Sequence, residues 1–403
     1  MNVLLSDSVR EECQREIVRL SQSDFSVAQA RSIQNKWGSQ LGSIVLSSAA
    51  LQKKAQAKLG EGVWWVNEKS LQQATPHQVA KLKSQWFADG PVADLCCGIG
   101  GDAVHLANRH HVIAIDHDPE VCQMAHANLV NHVADAVNRI EVVQGDVTRQ
   151  NIATDRWLHI DPDRRSGVTR STDPNDYSPT WDSVIDLITR APGAIVKLAP
   201  AADIALIDGI DSHRVWISLA GTVREQSLLC GEMRNAFAQS CEQDLCVFDR
   251  SAIVVDNDGS FQVFTADSQS TANSTDKPLD YMVDPDAAIR AAGLTEGFAN
   301  SFGCQLLGGP SGFLTGDDAV TLGRNELAIV ERVVWTGSCD DRRLRRELRA
   351  RDFYPKRIKT RGVSHDPNKL EKKLRQCGEY PITLWIGRTG KGHYAAITRP
   401  IEG

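Results

Sequence analysis

The sequence predicts an α/β protein: an open, mostly parallel sheet with helices on both faces, preceded by a helical region and followed by a small α/β unit. Three patterns support this prediction. Apolar side chains recur at helical spacing up to about residue 88, short apolar strands alternate with helices from Pro91 onwards, and roughly the last seventy residues hold a second, shorter series of strands and helices. A chain of 403 residues is too long for one ordinary core, so several domains are expected.

We divide the chain into a helical region over 1–88, the sheet domain over 89–265, a linker and ambiguous connecting segment over 266–334, and a basic unit over 335–403. In the helical region, Thr75 and Pro76 predict a capped helix start with proline at its first position. This region shows no chemistry of its own, so we expect a helical lid or packing layer.

Short apolar runs in the sheet domain are typical of buried strands, and the segments between them have helical spacing. The predicted strands are VADLCC, VIAIDHD, RIEVVQGD, WLHIDP, GAIVKLAP and RVWISLAG, and the predicted helices are GDAVHLANRH, PEVCQMAHANLVNHV and TWDSVIDLITRA. The following segment SAIVVDNDGSFQVFTA predicts a hairpin that turns at Asp258 and Gly259.

Composition excludes several classes of protein. The chain is 41% hydrophobic and 24% charged, as globular proteins are, and no apolar run approaches the 18 or so residues of a membrane span. Its first residues lack the basic start and apolar core of a signal peptide. The ten cysteines include no C-x-x-C pair, so we expect reduced thiols in a cytoplasmic protein without a metal site.

Charge is unevenly distributed along the chain. Residues 341–403 contain 17 Lys and Arg against 7 Asp and Glu, a balance of +10, whereas the other 340 residues have a balance of −16. Such a local positive field attracts polyanions, and RNA is the expected partner. The candidate contacts are Arg346 on a predicted helix and Lys356, Arg357, Lys359 and Arg361 along a predicted strand. The alternative is a solvated surface that balances an acidic body.

A glycine-rich loop follows the first predicted strand. Gly98 and Gly100 lie where an open α/β sheet binds its ligand, and glycine lets a ligand approach the backbone closely. With Ala103, the loop also fits the dinucleotide fingerprint G-x-G-x-x-A. The loop alone therefore leaves a dinucleotide open as the ligand.

Aspartates near this loop argue against a dinucleotide. Asp94 precedes the glycines, Asp102 follows them, and Asp116 and Asp146 end the second and third strands. A pyrophosphate beside a carboxylate, at about 4 Å, would be repelled by several kcal/mol at a protein surface. S-adenosylmethionine has an ammonium and a sulfonium and no phosphate, so we expect Asp94 to bind its ammonium, Asp116 its ribose hydroxyls and Asp146 its adenine amino group. The alternative is that the aspartates are only loop and helix-cap residues.

The strings DLCCGIGGD, IAIDHD and QGDV resemble the motifs of class I S-adenosylmethionine-dependent methyltransferases, over about residues 89–200. The resemblance implies a Rossmann-like class I methyltransferase sheet. Through their places in these motifs it adds Cys96, His117 and Val147 to the cofactor-binding candidates.

The string WLHIDPDRRSG ends the fourth strand, which in class I enzymes faces the methyl group. Asp161 and Pro162 resemble the start of the D/N-P-P-[FYW] motif of enzymes that methylate exocyclic amines, but Asp163 and Arg164 replace its last two residues, including the stacking aromatic. We expect Asp161 to orient the acceptor.

Two arginines follow this motif. We expect Arg164 and Arg165 to clamp a phosphate, with ion pairs to Asp163 or Asp173 as the alternative. Nearby, Tyr177 and Trp181 are either the missing stacking surface or ordinary packing residues. We expect Lys197 and Pro200 in VKLAP, at the end of the fifth strand, to face the cleft as well, with ordinary strand-end residues as the alternative.

The whole layout resembles a bacterial methyltransferase family with a carboxyl-terminal THUMP-like domain, through DLCCGIGGD, DPDRR, VKLAP and KRIKTRGVSHDPNKLEKKLR. The resemblance spans about residues 50–403 and implies RNA methylation. We therefore expect a methyltransferase that acts on a base of tRNA or rRNA. The alternatives are a small-molecule methyltransferase, a non-catalytic RNA-binding protein with a degenerate pocket, and a dinucleotide-dependent oxidoreductase. The acceptor atom and the oligomeric state stay open.

Overall fold

The computed structural model describes residues 4–166, 169–204, 207, 209–242, 248–309, 311–318 and 326–401, without the side chains of 136, 137, 165, 166, 169 and 170. The chain forms two compact units. Unit 1 comprises Met1–Val215, Glu225–Asp244 and Val255–Ser260, and unit 2 comprises Trp216–Arg224, Leu245–Val254 and Phe261–Gly403.

Unit 1 begins with helices, as predicted. They are α1 (Asp7–Ser21), α2 (Val27–Leu59), α3 (Glu68–Gln73) and α4 (His77–Ser84). Ser26 and Gln29 form a reciprocal capping box at the start of α2. Helix α4 begins one residue later than predicted, because Pro76 occupies the cap position itself and leaves the Thr75 side chain outside the helix.

The predicted α/β class is confirmed, with a parallel sheet at the centre of unit 1. Its parallel strands are β1 (Val92–Leu95), β2 (Val112–Asp116), β3 (Ile140–Gln144), β4 (Trp157–Ile160) and β7 (Gly193–Leu198). The helices between or after these strands are α5 (Gly101–Ala107), α6 (Pro119–His132), α7 (Ala136–Arg139), α8 (Trp181–Ile188) and α9 (Met233–Ser240). A short hairpin of β5 (Arg165–Ser166) and β6 (Thr169–Arg170) follows β4.

The sheet continues through β9 (Thr222–Gly231), β8 (Ser212–Leu219), β10 (Arg250–Val255) and β11 (Phe261–Thr265). In the described part of the chain its order is β11-β10-β8-β9-β7-β4-β1-β2-β3. Strands β10 and β11 form the predicted hairpin, with the Gly259 N–H bonded to the Asp256 carbonyl in the turn. Strands β1, β4 and β7 are buried throughout, so both faces of the sheet are covered and their carboxyl ends lie at one edge.

Unit 2 contains a second, mixed sheet. Its strands are β12 (Ser274–Thr275), β13 (Tyr281–Pro285), β14 (Gln305–Leu307), β15 (Phe313–Gly316), β16 (Ala328–Gly337), β17 (Phe353–Thr360), β18 (Tyr380–Thr389) and β19 (Gly392–Pro400). Among the described residues they are ordered β12-β14-β15-β13-β16-β19-β18-β17. Strand β13, from the segment that the sequence left ambiguous, thus pairs with β16 in the same sheet as the basic tail.

The helices in the described part of unit 2 are α10 (Ala287–Ala291), α11 (Thr295–Ser301), α12 (Asp341–Ala350) and α13 (Pro367–Leu374). Leucines of α12 and α13, such as Leu344 and Leu370, are buried against Phe353, Leu384 and other strand residues. The remaining faces of these two helices point away from that core, which leaves their basic residues exposed.

Asn128 in α6 is a buried polar hub of unit 1. Its Oδ1 accepts the Trp65 N–H at 2.7 Å, and its Nδ2 donates to the carbonyls of Trp65 at 3.0 Å and Ile99 at 2.9 Å. It therefore joins the segment after α2 to the glycine loop.

We expect Asn128→Ala to lower the free energy of unfolding by about 3 kcal/mol, because it leaves buried backbone groups without partners. Urea denaturation of the full chain measures this. Asn138→Ala, at an exposed site, is the matched control and should change stability by less than about 0.5 kcal/mol. Equal effects of the two changes would contradict the role of Asn128.

Candidate functional site

A cavity of about 180 Å³ lies in unit 1 at the carboxyl ends of β1, β2 and β4. Its walls are residues 96–99, 116–118 and 161–164, together with side chains between Lys69 and Thr75. The sheet supplies the first three segments, and α3 with the residues after it supplies the last. The helical region thus forms part of the cavity wall, as expected of a lid or packing layer.

The glycine loop adopts left-handed backbone conformations. Cys96, Gly98 and Gly100 have φ of 59°, 55° and 77°, and α5 starts directly after them. A Cβ atom on Gly98 would meet nothing within 4 Å, so backbone conformation rather than crowding calls for glycine there. Cys96 lacks that freedom, and its left-handed conformation is held by the surrounding loop.

Asp116, at the end of β2, fixes this loop. Its Oδ2 accepts the Gly98 N–H at 3.0 Å and its Oδ1 accepts the Asp118 N–H at 3.0 Å. A carboxylate offers about four acceptor positions, so two stay available for hydroxyl groups of a ligand in the cavity. His117 lies beside it and is largely exposed.

Four predicted cofactor residues lie outside the cavity wall: Asp94, Gly100, Asp146 and Val147. Gly100 lies in the glycine loop, directly before α5. Asp94 is 1% exposed, and its Oδ1 lies 2.7 Å from Nδ1 of His159. Asp146 is half-exposed and accepts hydrogen bonds from the backbone and hydroxyl of Thr148, while Val147 is buried in the core. Their contacts with a ligand stay predictions.

The end of β4 places Asp161, Pro162, Asp163 and Arg164 on the cavity wall. The backbone of Asp163 exchanges two hydrogen bonds with Ser178, which closes the loop between them. None of the described ion pairs includes Arg164, so its guanidinium is available to a ligand. The side chain of Arg165 lies outside the described residues.

Tyr177 does not supply the missing stacking surface. It is 3% exposed within the core of unit 1, and its hydroxyl accepts the Ala199 N–H at 3.2 Å. Trp181 is partly buried against the same core. Both are packing residues, the second of the two possibilities that the sequence left open.

A buried ionic network lies beneath the cavity. Lys83 of α4 is 1% exposed, and its Nζ lies 3.0 Å from Asp102, 2.9 Å from Glu225 and 3.2 Å from Nε2 of His159. Burial alone would lower the pKa of Lys83, but Asp102 and Glu225 outweigh it and raise that pKa. Burial and Lys83 likewise oppose the charge of His159, yet Asp102 and Asp94 raise its pKa above the usual value.

A second branch of the network reaches the cavity. Lys197 Nζ donates to Asp161 Oδ2 at 2.6 Å and to Thr75 Oγ1 at 2.9 Å, and Thr75 donates to Asp102 Oδ2 at 2.6 Å. Sequence reasoning gave none of these contacts. The available signal was the occurrence of His159 and Lys197 as single basic residues within otherwise apolar strands; Lys83, with Lys81 and Ser84 beside it, gave no such signal.

The electrostatics of the cavity favour a cation. Among its described lining residues are five carboxylates, Asp102, Asp116, Asp118, Asp161 and Asp163, against two basic groups, Lys69 and Arg164. A pyrophosphate would face this negative charge, whereas a sulfonium and an ammonium would be attracted. The donor set therefore fits S-adenosylmethionine, with Asp116 suited to its ribose and the glycine loop to close backbone contact.

Within the described residues, no group of three or more His, Cys, Asp or Glu is placed to hold a metal ion. In that same part of the chain, every helix is too short or too polar to traverse a lipid bilayer.

A parallel sheet with an acidic, glycine-lined cavity at its carboxyl edge is the arrangement of class I S-adenosylmethionine-dependent methyltransferases. Residues 90–175 match the model of the RNA cap guanine-N2 methyltransferase family. Two uncharacterised S-adenosylmethionine-dependent methyltransferases of Mycobacterium tuberculosis, from strains CDC 1551 and H37Rv, are each 28% identical over 364 residues, which cover 88% of this chain and 95% of theirs.

A crystal structure of a candidate methyltransferase from Porphyromonas gingivalis W83 shares the fold over 99% of this chain and 100% of its own, with a TM-score of 0.75 at 17% identity. Together with the site, these similarities identify the chain as an S-adenosylmethionine-dependent methyltransferase.

We expect Asp116→Ala to weaken binding of S-adenosylmethionine at least tenfold, or about 1.4 kcal/mol, because the change removes both the loop contact and the ligand acceptor. Isothermal calorimetry measures the affinity. Asp155→Ala, at an exposed turn, is the control and should bind as the wild type does. Wild-type affinity in Asp116→Ala would contradict the assignment.

The stability of unit 1 should depend on pH because of His105 in α5. Burial lowers the pKa of His105 to about 4, although Asp102 opposes that shift. Between about pH 6.5 and 4 the unfolded chain therefore takes up a proton that the folded chain refuses, so stability falls as the pH falls.

We expect His105→Gln to reduce the slope of the free energy of unfolding against pH by up to about 1 kcal/mol per pH unit. Urea denaturation at pH 7, 6 and 5 measures this slope. His111→Gln, at an exposed position, should leave the slope unchanged. An unchanged slope in His105→Gln would show that the group titrates alike in both states.

Proposed function

We propose that this methyltransferase acts in the cytoplasm on an exocyclic amine of a base in tRNA or rRNA, and that unit 2 binds the RNA. The observation that carries the proposal is a set of exposed basic side chains on α12, β17 and α13 or next to them. They are Arg342, Arg343, Arg346, Arg349, Lys356, Arg357, Lys369, Lys372, Lys373 and Arg375. Contacts with phosphates require such a field and are independent of sequence.

The five predicted RNA contacts divide into two groups. Arg346 and Arg357 are 71% and 55% exposed, and Lys356 is also exposed, so these three suit phosphate contacts. Lys359 and Arg361 are only 14% and 12% exposed.

Both residues of the buried pair bind Asp284 in β13, and Arg361 also donates to the Gly312 carbonyl. Their contacts hold the end of β17 within unit 2. We therefore assign RNA contact to the exposed group and a structural part to the buried pair.

The proposal that the methyl acceptor is an amine rests on Asp161. A carboxylate at this edge can accept an N–H of the acceptor amine and so orient the nitrogen lone pair toward the methyl carbon. S-adenosylmethionine, when bound, would supply the methyl group, its sulfonium becoming the neutral thioether of S-adenosylhomocysteine, and the acceptor nitrogen would give up its proton to Asp161 or to solvent. The matched family is described as acting on guanine N2, which is such an amine. Arg164 would bind a phosphate of the same nucleotide.

The order β16, α12, β17, α13, β18, β19 supports the THUMP-like interpretation of the last segment as a fold-level likeness. We include it in the proposal because THUMP domains bind structured RNA, and the basic residues lie on its helices.

We expect the protein to transfer tritium from labelled S-adenosylmethionine to RNA taken from cells that lack it, with one modified base found by nucleoside analysis. The double change Arg346→Glu and Lys356→Glu should raise KM for RNA at least tenfold with kcat nearly unchanged. It should also lower the slope of log affinity against log salt concentration by about 2.

The double change Lys53→Glu and Lys54→Glu, on the exposed side of α2, alters the net charge equally and is the control. It should leave KM for RNA unchanged. Label that enters a small-molecule extract and no RNA would favour the small-molecule methyltransferase instead.

A further inference from the structure

Lys197 is a buried cation with two fixed oxygen partners at the cavity. It lies on β7, whose residues are all buried, and is 4% exposed. Its Nζ bridges Asp161 Oδ2 at 2.6 Å and Thr75 Oγ1 at 2.9 Å. Both partners line the cavity, so the ammonium lies directly behind the cavity wall.

Burying a lysine costs free energy unless its charge is paired and hydrogen-bonded. The other side chains near the end of β7, such as Ile195, Val196 and Leu198, are apolar members of the core of unit 1. The reason for a lysine at this position is therefore the pair of oxygen atoms that its ammonium binds. The shorter of these contacts, at 2.6 Å, is with Asp161.

The position of Lys197 is fixed from its other side as well. The Thr75 hydroxyl accepts from Lys197 and donates to Asp102, and Asp102 is paired with Lys83. Lys83 is in turn held by Glu225. Each hydrogen bond in this series of contacts has one possible direction, because an ammonium can only donate and an ionised carboxylate can only accept.

Asp161 lies among like charges. Asp102 and Asp163 line the same cavity, and Asp94 is buried at the same edge of the sheet. Among the described residues, the Lys197 ammonium directly contacts the Asp161 carboxylate, so it balances that charge and occupies one of its two oxygens.

We propose that Lys197 is a positioning residue for methyl transfer: it binds one oxygen of the Asp161 carboxylate, is itself held by Thr75, and so leaves the other Asp161 oxygen free for the acceptor. The inference rests on the proposed function only for the identity of the acceptor. Because Thr75 belongs to the helical region, that region contributes to the positioning of Asp161.

The first test is a double-mutant cycle on methyl transfer to RNA. Lys197→Met should lower kcat at pH 7 at least thirtyfold, with KM for S-adenosylmethionine changed less than threefold. Lys197→Arg should restore part of the rate. In an Asp161→Asn background, Lys197→Met should cost less than twofold more, because its effect passes through Asp161.

The split between kcat and KM separates positioning from a structural role. A distorted site would raise KM for S-adenosylmethionine together with the loss of kcat, whereas a misplaced Asp161 carboxylate lowers kcat alone. Lys36→Met is the matched control: Lys36 pairs with Glu12 at 2.7 Å on the exposed side of α2, and its loss should leave both constants unchanged.

The second test needs no acceptor, so it stands if RNA is not the substrate. The crystal structure of Lys197→Met should show the Asp161 carboxylate turned away from its wild-type orientation, whereas Lys197→Arg should keep it in place.

Thr75→Val, which removes only the hydroxyl, should displace the Lys197 ammonium and the Asp161 carboxylate with it, and remains available if Lys197→Met does not fold. An Asp161 carboxylate that keeps its wild-type orientation in both variants would overturn the inference, as would additive losses in the double-mutant cycle. A wild type that labels no RNA would refute the proposed function but not this inference.

Discussion

The buried pairing of Lys83 with Asp102 and Glu225 is the interaction on which the site depends. It joins α4 of the helical region to the first turn of α5 and to strand β9. Removing one partner of a buried ion pair commonly costs about 3–5 kcal/mol, because the remaining charge is left without compensation. The glycine loop precedes α5 directly, so the same contact that balances the charges also fixes the helix that ends the loop.

The chemistry of the cavity follows from this arrangement. Even with His159 counted as a cation, the described network of Lys83, Lys197, His159, Asp94, Asp102, Glu225 and Asp161 carries one negative charge in excess. Outside this network, the cavity lining adds Asp116, Asp118 and Asp163 against Lys69 and Arg164, which is one further negative charge. A ligand with a sulfonium and an ammonium completes the balance, which a phosphate-bearing ligand would worsen. The buried network and the glycine loop together therefore determine which cofactor the cavity binds.

Sequence reasoning could predict the parts of the molecule whose signals are local. Strand–helix alternation gave the sheet, and the glycines with Asp116 gave the loop and its carboxylate, because spacing along the chain determines these features. It could not predict contacts between distant residues. Asp284 lies 75 residues from Lys359 along the chain, so the sequence offered no reason to separate Lys359 and Arg361 from their exposed neighbours. Asp94 ends up in a buried bond to His159, a partner 65 residues away.

Thr75 and Lys83 come from the helical region, whereas the carboxylates that they contact come from the sheet domain. Each segment alone would leave buried charged or polar side chains without a partner. A chimera that joined this sheet domain to the helices of a distant relative would leave Asp102 and Glu225 buried without a cation unless a lysine stood at the position of Lys83. The two segments are therefore constrained to change together during evolution, and the smallest catalytic module that can be transplanted starts well before β1.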